Sequence, residues 1–393
     1  MVVKRGARAA KIARVAGSGL MVAALTAGLS VAHAQTATPE ERAAEEASNS
    51  AWRVDTPPTG DTPITVLEKV GTFGGTTVMV GSLRPAGTKK WVPVAAHWAG
   101  GKWVTNAVPV PADASFARLH SVRVTGPREA WAAGNLDGRP WVVRWDGATW
   151  STVDTKALPG GELFGITGTA GNLWAVGGAD DGSLVARWDG TTWTRVALPT
   201  HPDGTPWDIG WYSGVSALAP NDVWVVGPEN TSAHWDGRAW TQVAVPRADD
   251  GSSIWLEQVR SSGDQGTWAV GYVVGSPRVA VALRWAGRAW ERVTLPGAGY
   301  QLDDVAFTAA GPVAVGAEYD PAAPIGESGY AVRLPTRPGQ SATRVALPPG
   351  VQHLWGATAG EFGIGLRVIG TAQNADPSRT LPFTAWTPRI PLT

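Results

Sequence analysis

A repeated tryptophan motif limits what this chain can fold into. The pattern W-D/A-G-x-x-W occurs five times, and its glycines follow one another at intervals of 43–50 residues: Gly100, Gly147, Gly190, Gly237 and Gly287. An extended run that ends in proline comes after each copy, and residues 344–348 keep the same tail without the tryptophans. Self-similarity at this period is typical of repeat architectures in which each unit packs only against its neighbours.

A second motif lies upstream of each first one. Its form is W-A-V-G at residues 131–134, 174–177, 224–227 and 268–271, with weaker copies at residues 78–81, 313–316 and 362–365. Most copies follow an L-x-x-V motif, as at Leu119 and Leu256. Each unit therefore holds four short apolar or alternating runs separated by turn residues. Seven such units predict an all-β fold, a seven-bladed β-propeller of four-stranded antiparallel blades.

The two ends of the repeat region predict how the ring closes. Residues 383–386 match a third strand and no fourth follows, whereas residues 51–57 resemble the fourth strand of another unit. We expect the N-terminal strand to complete the last blade and to remove its open edges. The predicted propeller spans residues 51–393, with blades at about 58–111, 112–159, 160–199, 200–246, 247–296, 297–348 and 349–388 plus 51–57.

The N-terminal segment has the pattern of a targeting signal. Residues 1–34 combine five basic residues, an apolar run and the sequence Ala-His-Ala, which predicts a secretory signal peptide; a retained membrane anchor is the alternative. Residues 35–50 are polar and Glu-rich, which predicts a disordered tether. Loss of the basic leader would leave a mildly acidic, secreted chain without a membrane span. The sequence has no Cys, which excludes disulfides and Cys-based metal sites, and its charge disfavours nucleic acid as a partner.

The aspartate of the W-D-G motif invites interpretation as a metal ligand or a catalytic carboxylate. Two copies replace it by alanine and keep the glycine, at Gly100 and Gly287. A hairpin turn needs glycine where φ is positive, and aspartate before it favours the turn. We therefore expect a structural role for this aspartate, with the flanking tryptophans as cross-strand neighbours.

Function is best sought where the repeats differ. Several aromatic residues lie outside the motifs, in or beside connections that lead into first strands and share one face of a propeller: Trp207, Trp211, Tyr212, Trp255 and Trp355. Nearby groups that could form hydrogen bonds are Asp208, Arg247 and Asp250. Aromatic faces beside polar groups suit sugar rings or the hot-spot side chains of a protein partner. The alternative is that these aromatics fold down and plug the channel.

First strands also carry polar residues at their channel-facing starts, including Asp303, Asp304, Glu68 and His120. An acidic rim with one histidine could hold a cation or perform acid–base chemistry, so these four are the candidate catalytic residues. The sequence predicts no metal site and no cofactor, although its acidic loops keep calcium as a possible ion.

The layout resembles tectonin-type and WD-repeat propellers. It is also similar to Trp-rich repeats of secreted bacterial proteins, written D-V-W-A-V-G and H-W-D-G-x-x-W, which residues 221–227 and 234–240 match closely. The resemblance implies a binding module for glycans. We expect a non-catalytic monomer with a carbohydrate or cell-surface glycan as its favoured ligand. A carbohydrate-active hydrolase or lyase using the acidic rim and a protein–protein interaction scaffold remain alternatives.

Overall fold

The computed structural model describes residues 52–392 except 60, 61, 63, 198–208, 276, 298, 325, 338, 339, 361, 362, 377 and 378. The predicted signal peptide and tether, together with Trp207 and Asp208, lie outside the described residues. In this part of the chain the regular structure is β, arranged as seven four-stranded antiparallel sheets. No helix within these ranges has the length and apolar character needed to span a membrane.

The first three blades follow the N-terminal strand β1 (Arg53–Val54). Blade 1 contains β2 (Ile64–Phe73), β3 (Thr76–Arg84), β4 (Val92–Ala99) and β5 (Lys102–Thr105). Blade 2 contains β6 (Ala117–Gly126), β7 (Glu129–Leu136), β8 (Arg139–Trp145) and β9 (Trp150–Val153). Blade 3 contains β10 (Gly161–Thr169), β11 (Asn172–Ala179), β12 (Gly182–Trp188) and β13 (Trp193–Arg195).

The remaining blades repeat this order. Blade 4 contains β14 (Gly214–Ala219), β15 (Asp222–Gly227), β16 (Thr231–Trp235) and β17 (Trp240–Gln242). Blade 5 contains β18 (Ile254–Ser262), β19 (Gly266–Val273), β20 (Val279–Trp285) and β21 (Trp290–Val293). Blade 6 contains β22 (Gly299–Thr308), β23 (Gly311–Tyr319), β24 (Glu327–Arg333) and β25 (Thr343–Arg344). Blade 7 contains β26 (Val351–Ala359), β27 (Leu366–Ala372), β28 (Leu381–Thr387) and β1, which confirms the seven-bladed propeller and its closure.

The W-D-G motif forms the hairpin between the third and fourth strands, as predicted. Trp188 pairs directly with Trp193 across that hairpin. The Asp189 carboxylate accepts hydrogen bonds from the backbone N–H groups of Thr191 and Thr192, at 2.8 Å each. These bonds hold the pKa of Asp189 far below its ordinary value. Gly190 has a φ of 101°, a conformation that L side chains rarely adopt, so the aspartate and glycine together make the turn.

Tryptophan fills the gap between neighbouring blades. Trp174 of blade 3 is buried and lies 5.8 Å and 5.9 Å, between ring centroids, from Trp235 and Trp240 of blade 4. Trp224 makes the same contacts with Trp285 and Trp290 of blade 5. One sheet cannot cover both of its faces, and these large side chains bury the surface between adjacent sheets.

The closing gap uses a different set of side chains. Arg53 and Val54 pair with Trp386 and Ala385 of β28. In this gap Arg367 takes the place of the motif tryptophan, and its guanidinium lies 4.0 Å from the ring centroid of Trp98 in blade 1. The same guanidinium donates to Asp55 at 2.5 Å, so the N-terminal segment supplies the partner of a buried cation.

This arrangement corrects one sequence expectation. Residues 362–365 were assigned as the seventh copy of W-A-V-G, but Gly370 has that role. A methyl group on Gly370 would lie 1.9 Å from the carbonyl oxygen of His353, as one on Gly134 would from that of Arg118. The copy was hidden because its tryptophan and arginine are exchanged: Arg367 faces Trp386, whereas Trp131 faces Arg144.

Candidate functional site

The mouth of the channel is built by a repeated irregularity in the innermost strands. In six blades the ladder between first and second strands slips by one residue directly after the motif leucine. The extra residues are Glu68, His120, Phe164, Glu257, Asp303 and Trp355. A β-bulge leaves its extra residue unpaired and changes the direction of its side chain. Within its described residues, blade 4 has no bulge at the equivalent position. There Ser213 lies directly before β14, one residue ahead of the first residue that pairs with β15.

These seven residues, one from each blade, line a single cavity of about 270 Å³. We call it the mouth cavity. Four further residues contribute to its lining, and they are Lys69, Trp211, Trp255 and Gln301. The bulge in six blades, together with Ser213 in the seventh, thus brings one side chain from every blade to the same cavity.

Aromatic rings form one side of the mouth cavity. The ring centroids of Trp211 and Trp255 are 5.6 Å apart with planes inclined at 48°. Trp255 also stacks on Tyr272 at 5.9 Å, and the guanidinium of Arg278 lies 4.3 Å from the Tyr272 centroid. Trp211 is 37% exposed, so part of this aromatic surface stays open to a ligand.

A charged network holds another part of the cavity lining, at Asp303 and Trp355. His353 is buried and its Nε2 lies 2.7 Å from a carboxylate oxygen of Asp303, while its Nδ1 contacts Glu327. The imidazole stacks on Trp355, with centroids 3.7 Å apart and planes inclined at 5°. Burial by itself would lower the pKa of His353, but the two carboxylates outweigh it and raise the pKa to about 9. A protonated His353 therefore fixes Asp303 and Trp355 in place.

A second ion-paired group lies at blades 1 to 3. Arg118 donates to Glu68 at 2.6 Å, and His120 lies 2.6 Å from Glu162. Burial by itself would raise the pKa of Glu68 and lower that of His120, because it disfavours the charged form of each. The hydrogen bonds and opposite charges of their partners outweigh burial, so the pKa of Glu68 is lowered and that of His120 is raised. Arg118 also lies 4.7 Å from the ring centroid of Trp91. Glu68 and His120 are thus held by partners as well as by the backbone.

Lys69 closes the floor of the mouth cavity. Its ammonium group donates to the carbonyl oxygens of Asp303 at 2.9 Å and of Trp355 at 2.6 Å. It also lies 3.9 Å from the carboxylate of Asp304. Asp304 is fully buried and accepts two hydrogen bonds from Arg260, each 3.2 Å long. The lysine thus connects blades 1, 6 and 7 across the channel.

Glu257 differs from the other acidic residues of the mouth. Within the described part of the chain it has no hydrogen-bond or ion-pair partner, although it is half-buried in the cavity lining. Burial, with a smaller contribution from the charge of Asp303, raises its pKa to about 7. Lys69, Arg278 and His353 act in the opposite direction without overcoming that cost. This carboxyl group is held in an environment that leaves its charge uncompensated.

The structure brings together most of the residues singled out from the sequence. Trp211, Trp255 and Trp355 share one cavity with three of the rim residues, Glu68, His120 and Asp303. Sequence reasoning did not single out Ser213, which lines the same cavity. The seven cavity residues, one from each blade, can be located in the sequence by position, because each directly follows the leucine or tyrosine that begins the L-x-x-V motif.

Other candidates lie elsewhere. Tyr212 is fully buried in the cluster between blades 3 and 4, so its assignment to ligand binding was wrong; it occupies the motif position that holds leucine in other blades. Asp304 lies beneath the cavity in its pair with Arg260. Arg247 and Asp250 do not line the mouth cavity and instead hold their own loop, through the Gly251 carbonyl and the Ser252 N–H.

The described residues contain no group of three or more His, Asp or Glu side chains arranged to hold a metal ion. Arg195 donates to Asp181 at 2.7 Å, and the carboxylate of Asp250 accepts from a backbone N–H. The two Asp-Asp-Gly-Ser loops thus use carboxylates within the protein.

Comparisons with known proteins establish the fold. No known protein family and no curated protein matches the sequence. Among solved structures, "YCF48 bound to D1 peptide" is similar with a TM-score of 0.54 and 15% identity, covering 86% of this chain and 96% of that one. YCF48 from Cyanidioschyzon merolae gives 0.56 and 17%, covering 86% and 99%. The WD40 propeller domain of Doa1 gives 0.57 and 10%, covering 86% and 98%. At these identities the similarity extends to the propeller fold, in agreement with the WD-repeat resemblance.

Proposed function

We propose that this chain is a non-catalytic binding module whose mouth cavity holds a carbohydrate. One observation carries the proposal: tryptophans from three separate parts of the ring, Trp211, Trp255 and Trp355, line the same cavity. The apolar face of a sugar ring packs on an indole, and its hydroxyl groups need polar partners nearby. Gln301 and the carboxylates of the bulged residues are such partners.

The size of the mouth cavity limits what part of a glycan it holds. Its volume of about 270 Å³ lies below the range of roughly 300–1,000 Å³ usual for drug-sized ligands. We therefore expect one terminal sugar residue to enter the cavity, with the rest of the chain outside it.

The test compares mouth and control variants on a glycan array and then by calorimetry. Trp211→Ala with Trp255→Ala should abolish binding of the best array ligand, because both stacking faces are lost. Phe73→Ala is the matched control: Phe73 is a similarly exposed aromatic residue, 49% exposed, at the far end of β2. Full binding by a folded double variant would overturn the assignment of the site.

The cellular location belongs to the same proposal. We infer that residues 1–34 direct export and are removed, since a surface or extracellular place is where a glycan-binding propeller meets its ligand. N-terminal sequencing of protein purified from the native host should begin at Gln35. Light scattering on the same sample should give a monomer.

A protein ligand is the second candidate. It is favoured by the similar propeller whose structure contains a bound peptide, and by the charged and aromatic mixture at the mouth, which suits hot-spot side chains. A silent glycan array together with a peptide that binds and protects Trp211 and Trp255 from chemical modification would favour it.

Catalysis by the rim is the remaining alternative. Asp303, Asp304, Glu68 and His120 are each engaged in an ion pair, which makes them poor proton donors or acceptors for a substrate. Formation of new reducing ends from a polysaccharide panel, lost in Asp303→Asn, would establish a carbohydrate-active enzyme instead.

A further inference from the structure

The mouth cavity contains acidic groups with partners and one without. Asp303 pairs with His353, and Glu68 pairs with Arg118. Glu257 lines the same cavity and contacts no cation or donor among the described residues. A half-buried carboxylate without a partner is costly, and a ligand that brings a positive charge would remove that cost.

The cations that face Glu257 are already occupied. Lys69 donates to two carbonyl oxygens, and Arg278 donates to Gln301 at 2.9 Å while lying on Tyr272. His353 serves Asp303 and Glu327. None of these groups is within ion-pair distance of Glu257, so its charge is left for a molecule from outside.

The walls beside Glu257 suit a positive charge as well. Trp255 lies two residues before Glu257 in β18, Trp211 lies 5.6 Å from Trp255 between ring centroids, and Trp355 lines the same cavity. An ammonium group is attracted to the face of an indole, more strongly where water is excluded. Aromatic faces around one free carboxylate form a site for a cation that also carries an apolar surface.

We propose that the mouth cavity takes an amino sugar, whose ammonium group pairs with the Glu257 carboxylate while its ring packs on Trp211 and Trp255. The inference rests on the proposed carbohydrate-binding function and narrows it to a charged class. A neutral sugar would leave Glu257 uncompensated, and an acidic sugar would be repelled by Glu257 and Asp303.

Calorimetry with two related probes tests the charge requirement. The probes are a glucosamine hexamer with free amino groups and the same hexamer fully N-acetylated, which carries no ammonium group. The wild-type chain should bind the free-amine hexamer at least about tenfold more tightly, since loss of one partner of a desolvated charge pair is expensive. Equal affinity for both would overturn the amino-sugar proposal and leave the carbohydrate function standing.

Variants assign the effect to Glu257. Glu257→Gln keeps the shape of the side chain and should remove the preference for the free amine, whereas Glu291→Gln, on the exposed outer strand of the same blade, should retain it. Affinity for the free-amine hexamer should also fall at pH values well below 7, where its amino groups are already fully charged, His353 stays charged and further acid protonates Glu257. An unchanged preference in Glu257→Gln would overturn the proposal.

The remaining outcomes are also distinguishable. Binding of neither hexamer, with another glycan bound on the array, would reject the amino sugar only. A silent array with tight binding of a lysine-rich peptide lost in Glu257→Gln would reject the carbohydrate function and assign the cation site to a protein ligand.

Discussion

Two regions of the molecule are built from the same repeats: the body, which is the set of packed gaps between blades, and the ring, which is the seven residues that line the mouth cavity, one from each blade. They differ in whether equivalent positions hold the same side chain. In the body, equivalent positions hold equivalent side chains, such as Trp174 and Trp224, each packed on the tryptophan pair of the next blade. In the ring, equivalent positions hold Glu, His, Phe, Ser, Glu, Asp and Trp. Each blade thus places one residue at the mouth, by a β-bulge in six of the seven blades, while the type of side chain at that position varies.

This comparison predicts that stability resides in the body, and the largest effect should come from its closing gap. Deletion of residues 35–57 removes β1, the hydrogen bond of Trp52 to Ala346 and the partner of Arg367. We expect a loss of about 5 kcal/mol or more in the free energy of unfolding, because a buried cation is left unpaired.

Chemical denaturation measures this loss, with deletion of residues 35–50 as the control, since that variant keeps Trp52 and Asp55. Similar unfolding midpoints for the two deletions would contradict closure by the N-terminal segment as a source of stability.

The second prediction sets one body tryptophan against one mouth tryptophan. Trp174 is 1% exposed and Trp211 is 37% exposed. Trp174→Ala should cost about 3–5 kcal/mol because it leaves a cavity between blades 3 and 4. Trp211→Ala should change stability by less than about 1 kcal/mol and act on ligand binding instead. Thermal melting of the two variants checks both values, and equal losses would erase the distinction between body and mouth.

The third prediction concerns His353, a residue beside the mouth cavity that also stabilises the fold. His353 has a pKa raised to about 9 from an ordinary value of 6.5. The folded state therefore binds the proton of His353 more tightly than the unfolded state does. The resulting contribution to the free energy of unfolding is complete below pH 6.5 and is lost as the pH rises through 9. It amounts to roughly 3 kcal/mol at most.

Melting temperatures at pH 7 and pH 9.5 should show this loss in the wild-type chain and a smaller one in His353→Gln. His234→Gln, in which a partly exposed histidine beside Asp222 is replaced, should keep the wild-type pH dependence. If His353→Gln and the wild type responded alike, the ion-paired network would have no part in stability.

Local sequence patterns were sufficient for the architecture. The spacing of the W-D-G motifs predicted the length of one unit, the copies of the W-A-V-G motif predicted seven blades, and the likeness of residues 51–57 to a fourth strand predicted the closure. They also found the tryptophans of the mouth, since these stand outside the motifs. They failed for Tyr212, which replaces a core leucine, and for the last W-A-V-G copy, in which Arg367 and Trp386 are exchanged.

The number of blades, their turns and the closure of the ring can be derived from the amino-acid sequence, because each follows from a pattern of a few residues that recurs. Which charged groups meet depends on how the blades are arranged in space. His353 and Asp303 are separated by 50 residues, as are Arg118 and Glu68, and their pairing depends on bulges and on neighbouring blades. The isolation of Glu257 arises in the same way: a free carboxylate is defined by what surrounds it in space, which no short stretch of sequence specifies.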